Sequence, residues 1–250
     1  MFADPDLSRD AFLSGRLNLW QPVKGYRAAT DPVLLAAACP AIPGQTVLDL
    51  GCGAGTAALC LAARVPGLTL TGLELQPAYA ALARRNAAEN AIALAVIEAD
   101  FTTSPLKTAF DHIIANPPYY PRTGSPSPTA ARDTALRTQT PITDWIAFAA
   151  RRLEPGGWLT LICGADSLPE VLAALPPKLG SATVLPLSPR ETSPALRILL
   201  RARKGGRAAF RLLSPLILHQ GTAHDTDRDS YTAKARAILR DAADLSAAFG

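Results

Sequence analysis

Histidine and methionine are nearly absent. The 250 residues include 3 histidines (His112, His219 and His224) and 1 methionine. The 4 cysteines, Cys39, Cys52, Cys60 and Cys163, form no Cys-x-x-Cys pair. Zinc sites draw on clustered Cys and His, so no metal is expected. Cysteines scattered through apolar runs read as reduced core residues. No apolar run approaches the roughly 18 residues that a membrane span needs. The start, Met1-Phe2-Ala3-Asp4-Pro5-Asp6, is acidic where an export signal would be basic and then apolar. A soluble, cytoplasmic protein is the expectation. One stretch also lacks acids. None lies between Glu191 and Asp225, where Arg197, Arg201, Arg203, Lys204, Arg207 and Arg211 all fall. With a net charge of +4, the chain leans mildly toward a polyanionic partner. The basic run is either a solvated hairpin face or an RNA contact. For the second reading the candidates are Arg197, Arg201, Arg203 and Lys204, joined by Tyr120 and Arg122.

What is present is apolar: 48% of the residues, many of them Ala, enough for a sizeable core. Residues 1–17 read as a flexible or peripheral lead-in. Asp31 is a suitable N-cap and Pro32 a suitable first residue for a helix that ends before Pro40. Thr46 to Leu50 is a short buried strand. It runs into Gly51-Cys52-Gly53-Ala54-Gly55 and then a helix to about Arg64. A second strand, Leu68 to Glu74, is followed by a helix from Pro77 to about Asn90. A third, Ala93 to Ala99, ends at Asp100. A fourth, Ile113-Ile114-Ala115, stops at Asn116-Pro117-Pro118-Tyr119, because proline donates nothing to a sheet ladder. Residues 121–140 form a long Pro/Ser/Thr-rich loop. Thr140 or Thr143 caps a helix to Arg152, and a turn at Pro155-Gly156-Gly157 leads to a strand over Trp158 to Cys163. Ser167 and Glu170 spell a capping box. Thr183 to Leu187 and Leu196 to Arg203 read as strands, with a further one between Phe210 and Leu218. Ser230 is placed to cap a last helix.

This alternation predicts an α/β fold with a mainly parallel sheet, helices on both faces and an antiparallel hairpin at one edge. Its acids fall in register at the ends of successive strands. Asp49 precedes the glycines by two residues, where it suits an ammonium group better than a pyrophosphate. Glu74 can accept from the two hydroxyls of a ribose, and Asp100 from an adenine amine. S-adenosylmethionine carries all three groups. The Asn116 side-chain oxygen and the Pro117 carbonyl can accept from an exocyclic NH₂ whose lone pair is delocalised. They thereby favour the pyramidal nitrogen that attacks a methyl group. Tyr119 can stack on a planar substrate.

Val47-Leu48-Asp49-Leu50-Gly51-Cys52-Gly53-Ala54-Gly55, Glu74, Asp100 and Asn116-Pro117-Pro118-Tyr119 resemble the class I S-adenosylmethionine-dependent amino-methyltransferases. Gln21-Pro22, Gly25-Tyr26-Arg27, Asp31, Leu34-Leu35, Thr143-Asp144-Trp145-Ile146 and Leu153-Glu154-Pro155-Gly156-Gly157 are similar to the bacterial tRNA(Val) adenine-37 N6-methyltransferase family. The resemblance spans roughly residues 18–240. It implies a Rossmann-like fold with a seven-stranded sheet, and a cofactor held by Asp49, Gly51, Gly53, Gly55, Glu74, Leu75, Asp100, Phe101 and Asn116. It implies catalysis by Asn116, Pro117 and Tyr119 on tRNA. A segment over 1–45 would cap the cofactor site of a methyltransferase domain over 46–250.

A protein glutamine N5-methyltransferase also uses Asn-Pro-Pro-Tyr, but its family places a helical domain ahead of the core. Only about 45 residues precede the first core strand here, which argues against it. A ribosomal RNA base N-methyltransferase, a DNA adenine methyltransferase and a non-catalytic RNA-binding module are further alternatives. The first two usually bring extra domains, and the third would not need the intact acids.

Overall fold

The structure is a computed structural model that describes residues 2–104, 106–118, 140–221 and 230–250. Its central sheet has seven long strands: β3 (Thr46–Leu50), β4 (Thr69–Glu74), β5 (Leu94–Glu98), β6 (Phe110–Ala115), β7 (Leu153–Gly164), β8 (Leu179–Ser188) and β9 (Arg197–Lys204). They run in the order β8-β9-β7-β6-β3-β4-β5. β5, β4, β3, β6 and β7 pair in parallel, and β9 is antiparallel to both β7 and β8. The expected strand between Phe210 and Leu218 is two short ones, Arg211–Leu212 and Leu216–Ile217, both paired parallel to β8. Pro155-Gly156-Gly157 lies inside β7 rather than ahead of it, at the register shift where that strand meets β6.

β3 and β6 are buried on both faces, which is why they read as continuous apolar runs. Val47 and Ile114 pack into one core, while Leu48 and Ile113 pack into the other. The first core also holds residues of α1 (Asp31–Ala38), α2 (Thr56–Arg64) and the last helix, Ala233–Asp241. The second holds residues of Ile142–Arg152 and Leu168–Ala174. All four cysteines are free and buried. Burial pushes the Cys39 thiol up to about 11 and those of Cys60 and Cys163 to about 12, so they stay protonated.

The beginning of the chain is not a loose lead-in. β1 (Leu7–Phe12) and β2 (Leu17–Pro22) form an antiparallel hairpin. It is docked on α3 (Pro77–Glu89) and the residue that follows it. The Asn86 amide accepts from Trp20 N at 2.7 Å and donates to Trp20 O at 3.0 Å and Ala54 O at 2.9 Å. Asn90, one helical turn on, makes the same pair of bonds to Asn18 at 2.9 Å each. Two amides at i and i+4 thus serve as a strand partner for the free edge of β2. Arg85 stacks 4.1 Å above the Trp20 ring.

The expected caps are corrected as a group. Asp31 is the first residue of α1, not its cap, and pairs with Arg197 at 3.2 Å. Pro141, not Thr140 or Thr143, precedes the helix over Ile142–Arg152. Ser167 has helical φ and ψ and makes no capping bond, so the box with Glu170 does not form. Thr232, not Ser230, caps the last helix, accepting from Ala235 N at 3.2 Å.

Within the basic run, Arg201 does not fit the RNA reading. Arg201 is only 6% exposed. Its guanidinium lies 4.5 Å from the Trp158 ring and 4.7 Å from the Phe249 ring, and donates to Ser246 O at 2.9 Å. Arg203 donates to Gly156 O, and Lys204 to Leu153 O. Arg203 and Arg201 are paired with Trp158 and Thr160 in the middle of β7, whereas Arg197 is paired with Gly164 at its C-terminal end. Buried between two rings, Arg201 cannot reach a phosphate, and its role is structural. Arg201→Ala should therefore cost about 2 kcal/mol of stability through the lost cation–π and packing contacts. Urea denaturation checks this; an unchanged midpoint would show the two rings to be indifferent to the guanidinium.

Candidate active site

In an open parallel sheet, ligands bind beyond the carboxyl ends of the strands, where the strand order reverses. Here that point lies between β3 and β6, since β4 and β5 continue on one side and β7 on the other. Two cavities open there. The larger, about 420 Å³, is lined by Asp49, Gly51, Cys52, Gly53, Ala54 and Thr56 from the β3–α2 turn and by Asn116, Pro117 and Pro118 beyond β6. Gln21 and the stretch from Tyr26 to Pro32 form its opposite wall, with Arg197 at the rim. The smaller, about 50 Å³, is lined by Leu73, Glu74, Leu75, Gln76, Asp100, Phe101, Thr140 and Trp145. Gly51, Asn116 and Pro118 line both, so the two cavities adjoin.

The glycines have separate reasons. Gly51 has φ +70°, and a Cβ there would stand 2.5 Å from the Trp145 ring. The indole can form the floor beneath the turn only because that side chain is missing. Gly53 has φ +54° and nothing within 4 Å of an added Cβ, which would project into open space. Gly55 corrects an expectation. It lines neither cavity; at φ +82° it precedes α2, and a Cβ would press on Leu94 at 3.3 Å and Ala83 at 3.4 Å. Its role is close packing of the turn rather than ligand contact.

The carboxylates differ in what they already hold. Asp49 is 3% exposed and accepts one bond, from Ala58 N at 3.1 Å. Burial first, and the nearby Glu74 charge second, raise its pKa to about 7 against the amide bond that lowers it. A buried carboxylate in this state gains from a cation placed in the adjoining cavity. Glu74 is 4% exposed; one oxygen accepts from Gly53 N at 2.8 Å and the other from Gln76 N at 2.9 Å. Each oxygen keeps a further lone pair. Asp100 accepts from Thr102 N and Oγ1 through one oxygen, at 2.8 and 2.7 Å. Phe101 is held edge-on against Trp145, with ring centroids 4.8 Å apart. The small cavity is thus a slot with two carboxylates and apolar walls, and the large one has a single buried carboxylate. This donor set fits an adenosyl amino acid laid across the two adjoining cavities: the edge of the nucleoside toward the slot, the ammonium near Asp49.

At the shared wall, the Asn116 amide donates through Nδ2 to the Tyr26 hydroxyl at 3.1 Å. Tyr119, Tyr120, Arg122 and the loop to residue 139 lie outside the described residues. Reasoning from sequence passed over Asn86, whose bond to Ala54 O ties the N-terminal hairpin to the glycine turn. Its signal was an amide pair, Asn86 and Asn90, at helical spacing in an alanine-rich stretch. Trp145 was noted only for its resemblance, and the structure gives its ring a place between Gly51 and Phe101. Among the described residues no group of three or more His, Cys, Asp or Glu could hold a metal ion, and no helix is long and apolar enough to cross a membrane.

Comparison with known proteins bears on the same region. A family described as "Methyltransferase small domain" matches residues 29–172. A Porphyromonas gingivalis protein named tRNA1(Val) (adenine(37)-N6)-methyltransferase is 31% identical over 86% of this chain and 90% of its own length. A Dickeya chrysanthemi protein of the same name is 30% identical over 86% and 87%. Among solved structures, a predicted O-methyltransferase from Agrobacterium tumefaciens superposes with a TM-score of 0.68 at 30% identity, covering 86% of this chain and 98% of that one. A Thermus thermophilus 16S rRNA N2 methyltransferase, in complex with AdoMet and guanosine, shares the fold at a TM-score of 0.55 and 21% identity, covering 79% and 50%. With more than half its length matched and its relatives covered nearly end to end, the chain belongs to the methyltransferase small domain family.

Proposed function

We propose that this protein is an S-adenosylmethionine-dependent methyltransferase that modifies the exocyclic N6 amine of adenine 37 in a valine tRNA. The observation that carries the reading is the strand end. Asn116 and Pro118 line both cavities and Pro117 the larger, one cavity suited to a nucleoside and the other to an ammonium group. The relatives that share most of the chain's length bear that activity in their names. When bound, the cofactor supplies an electrophilic methyl group. The chain's own residues do the rest. Glu74 accepts from the ribose hydroxyls, Asp100 receives the adenine amine, and Phe101, Leu75 and Trp145 enclose the base. Asp49 faces the ammonium. Asn116 Oδ1 and the Pro117 carbonyl accept from the acceptor's NH₂ and stabilise the positive charge that develops on its nitrogen. That nitrogen sheds its proton after transfer, so no dedicated base is needed. A hydroxyl acceptor, as in the name of the Agrobacterium structure, would need a base at the cavity. Among the described residues, the acids on its lining are Asp31, paired with Arg197, and the deeply set Asp49. An amine suits the site better.

Residues 1–45 act in this reading as a cap on the domain over 46–250, contributing Gln21 and Tyr26 to Pro32 to the cavity wall. In this reading Arg197, which lines the larger cavity, meets tRNA phosphate. The tRNA-modifying relatives favour the cytoplasm as the place of work.

Two measurements test these assignments. A transcript of the valine tRNA should accept labelled methyl groups, and replacing adenine 37 by guanine should abolish acceptance; equal labelling of both would remove the proposed target. Asp49 gives a pH signature. Cofactor binding favours the ionised carboxylate, so binding releases a proton wherever Asp49 is protonated in the free protein. Affinity should fall up to tenfold per unit as the pH drops below about 7, and level off above it until the ligand's own ammonium deprotonates. Titration calorimetry across that range reads the slope. In Asp49→Asn the Asp49 part of the slope disappears, and an identical slope in both proteins would show that Asp49 does not face the ammonium.

A further inference from the structure

Asn116 poses a problem that its own position does not solve. A carboxamide carries an acceptor on one side and two donors on the other. An exocyclic amine mainly donates, so only one of the two orientations of Asn116 can receive it. An amide left to rotate at the cavity wall would spend much of its time misaligned.

The structure supplies a restraint from the opposite wall. Tyr26 is 40% exposed, and its ring borders the larger cavity. Its hydroxyl accepts from Asn116 Nδ2 at 3.1 Å, across 90 residues of sequence. The backbone beneath it is gripped as well. Tyr26 N donates to the Tyr79 hydroxyl at 3.1 Å, and that hydroxyl lies 3.2 Å from Tyr26 O, to which it donates. Tyr79 belongs to α3, is 2% exposed, and meets Phe2 edge-on with ring centroids 5.2 Å apart. One buried phenol therefore anchors the segment whose exposed phenol reaches Asn116.

We infer that Tyr26 is a positioning residue for methyl transfer, fixing the plane of the Asn116 amide so that Oδ1 faces the acceptor amine. A hydroxyl can donate or accept, so by itself it restrains only the plane. Facing an amine, the amide takes the orientation with Nδ2 on the Tyr26 side and Oδ1 on the substrate side. The restraint acts before the substrate arrives and is thus preorganisation of a dipole, the form of stabilisation that acts on turnover. This inference rests on the reading of Asn116 as acceptor for the NH₂ group.

The test is Tyr26→Phe, which keeps the ring and the backbone grip of Tyr79. Turnover should fall about tenfold, the scale of one hydrogen bond. Cofactor affinity, KM for tRNA and melting temperature should stay within error, a split that a merely structural role would not give. In an Asn116→Ala background, followed by single-turnover labelling, adding Tyr26→Phe should cost nothing more. Independently of turnover, the Asn116 side-chain amide proton resonances should shift in Tyr26→Phe and not in Val23→Ala. Wild-type turnover in Tyr26→Phe, a further loss in the Asn116→Ala background, or unmoved resonances would each overturn the inference. Full turnover in Asn116→Ala alone would instead overturn the reading of Asn116 itself.

Discussion

Two prolines end a central strand, and the site follows from that stop. β6 is paired on both sides, with β3 and β7, so each position from His112 to Ala115 is held by two neighbours. Pro117 and Pro118 have no N–H to continue the ladder, and each disfavours a helix at the residue before it. The chain has to leave the sheet at Asn116. It does so beside the β3–α2 turn, at the point where the strand order reverses. An amide on the residue before the first proline supplies an acceptor there.

The second constraint is a charge kept out of water. Asp49 lies beneath the glycine turn with one backbone donor and a raised proton affinity. Such a group is costly in isolation and becomes favourable when a cation is brought to it. The ligand then completes the fold locally as well as reacting in it. Around this, α3 works in two directions. Its Asn86 holds both the hairpin and Ala54 of the turn, and its Tyr79 holds Tyr26. The N-terminal wall of the cavity and its glycine floor are thus referred to one helix.

Much of the frame was legible because its strands are short, apolar and punctuated by Gly, Pro or an acid. Thr46–Leu50 and Ile113–Ala115 are read directly from such runs, and so is the β8–β9 hairpin, which has no helix between its strands. The acids at successive strand ends were equally plain. What escaped depends on partners far along the chain. β1 carries a polar run, Ser8-Arg9-Asp10, and its hairpin is secured by Asn86 and Asn90, more than sixty residues away. Arg201 looked like a surface cation because nothing near it in sequence shows that Trp158 and Phe249 enclose it. The caps failed for a local reason. Several Ser, Thr and Asp residues stand close together at each helix start, and tertiary contacts such as Asp31–Arg197 choose among them.

The central claim is that the strand end presents an amine nitrogen, not an oxygen, to the methyl donor. The most direct measurement is to methylate the valine tRNA with labelled cofactor, digest it to nucleosides and identify by mass spectrometry the atom that carries the label. The account predicts N6-methyladenosine as the labelled nucleoside. Label on a ribose or base oxygen, or label accepted only by a protein glutamine, would contradict it.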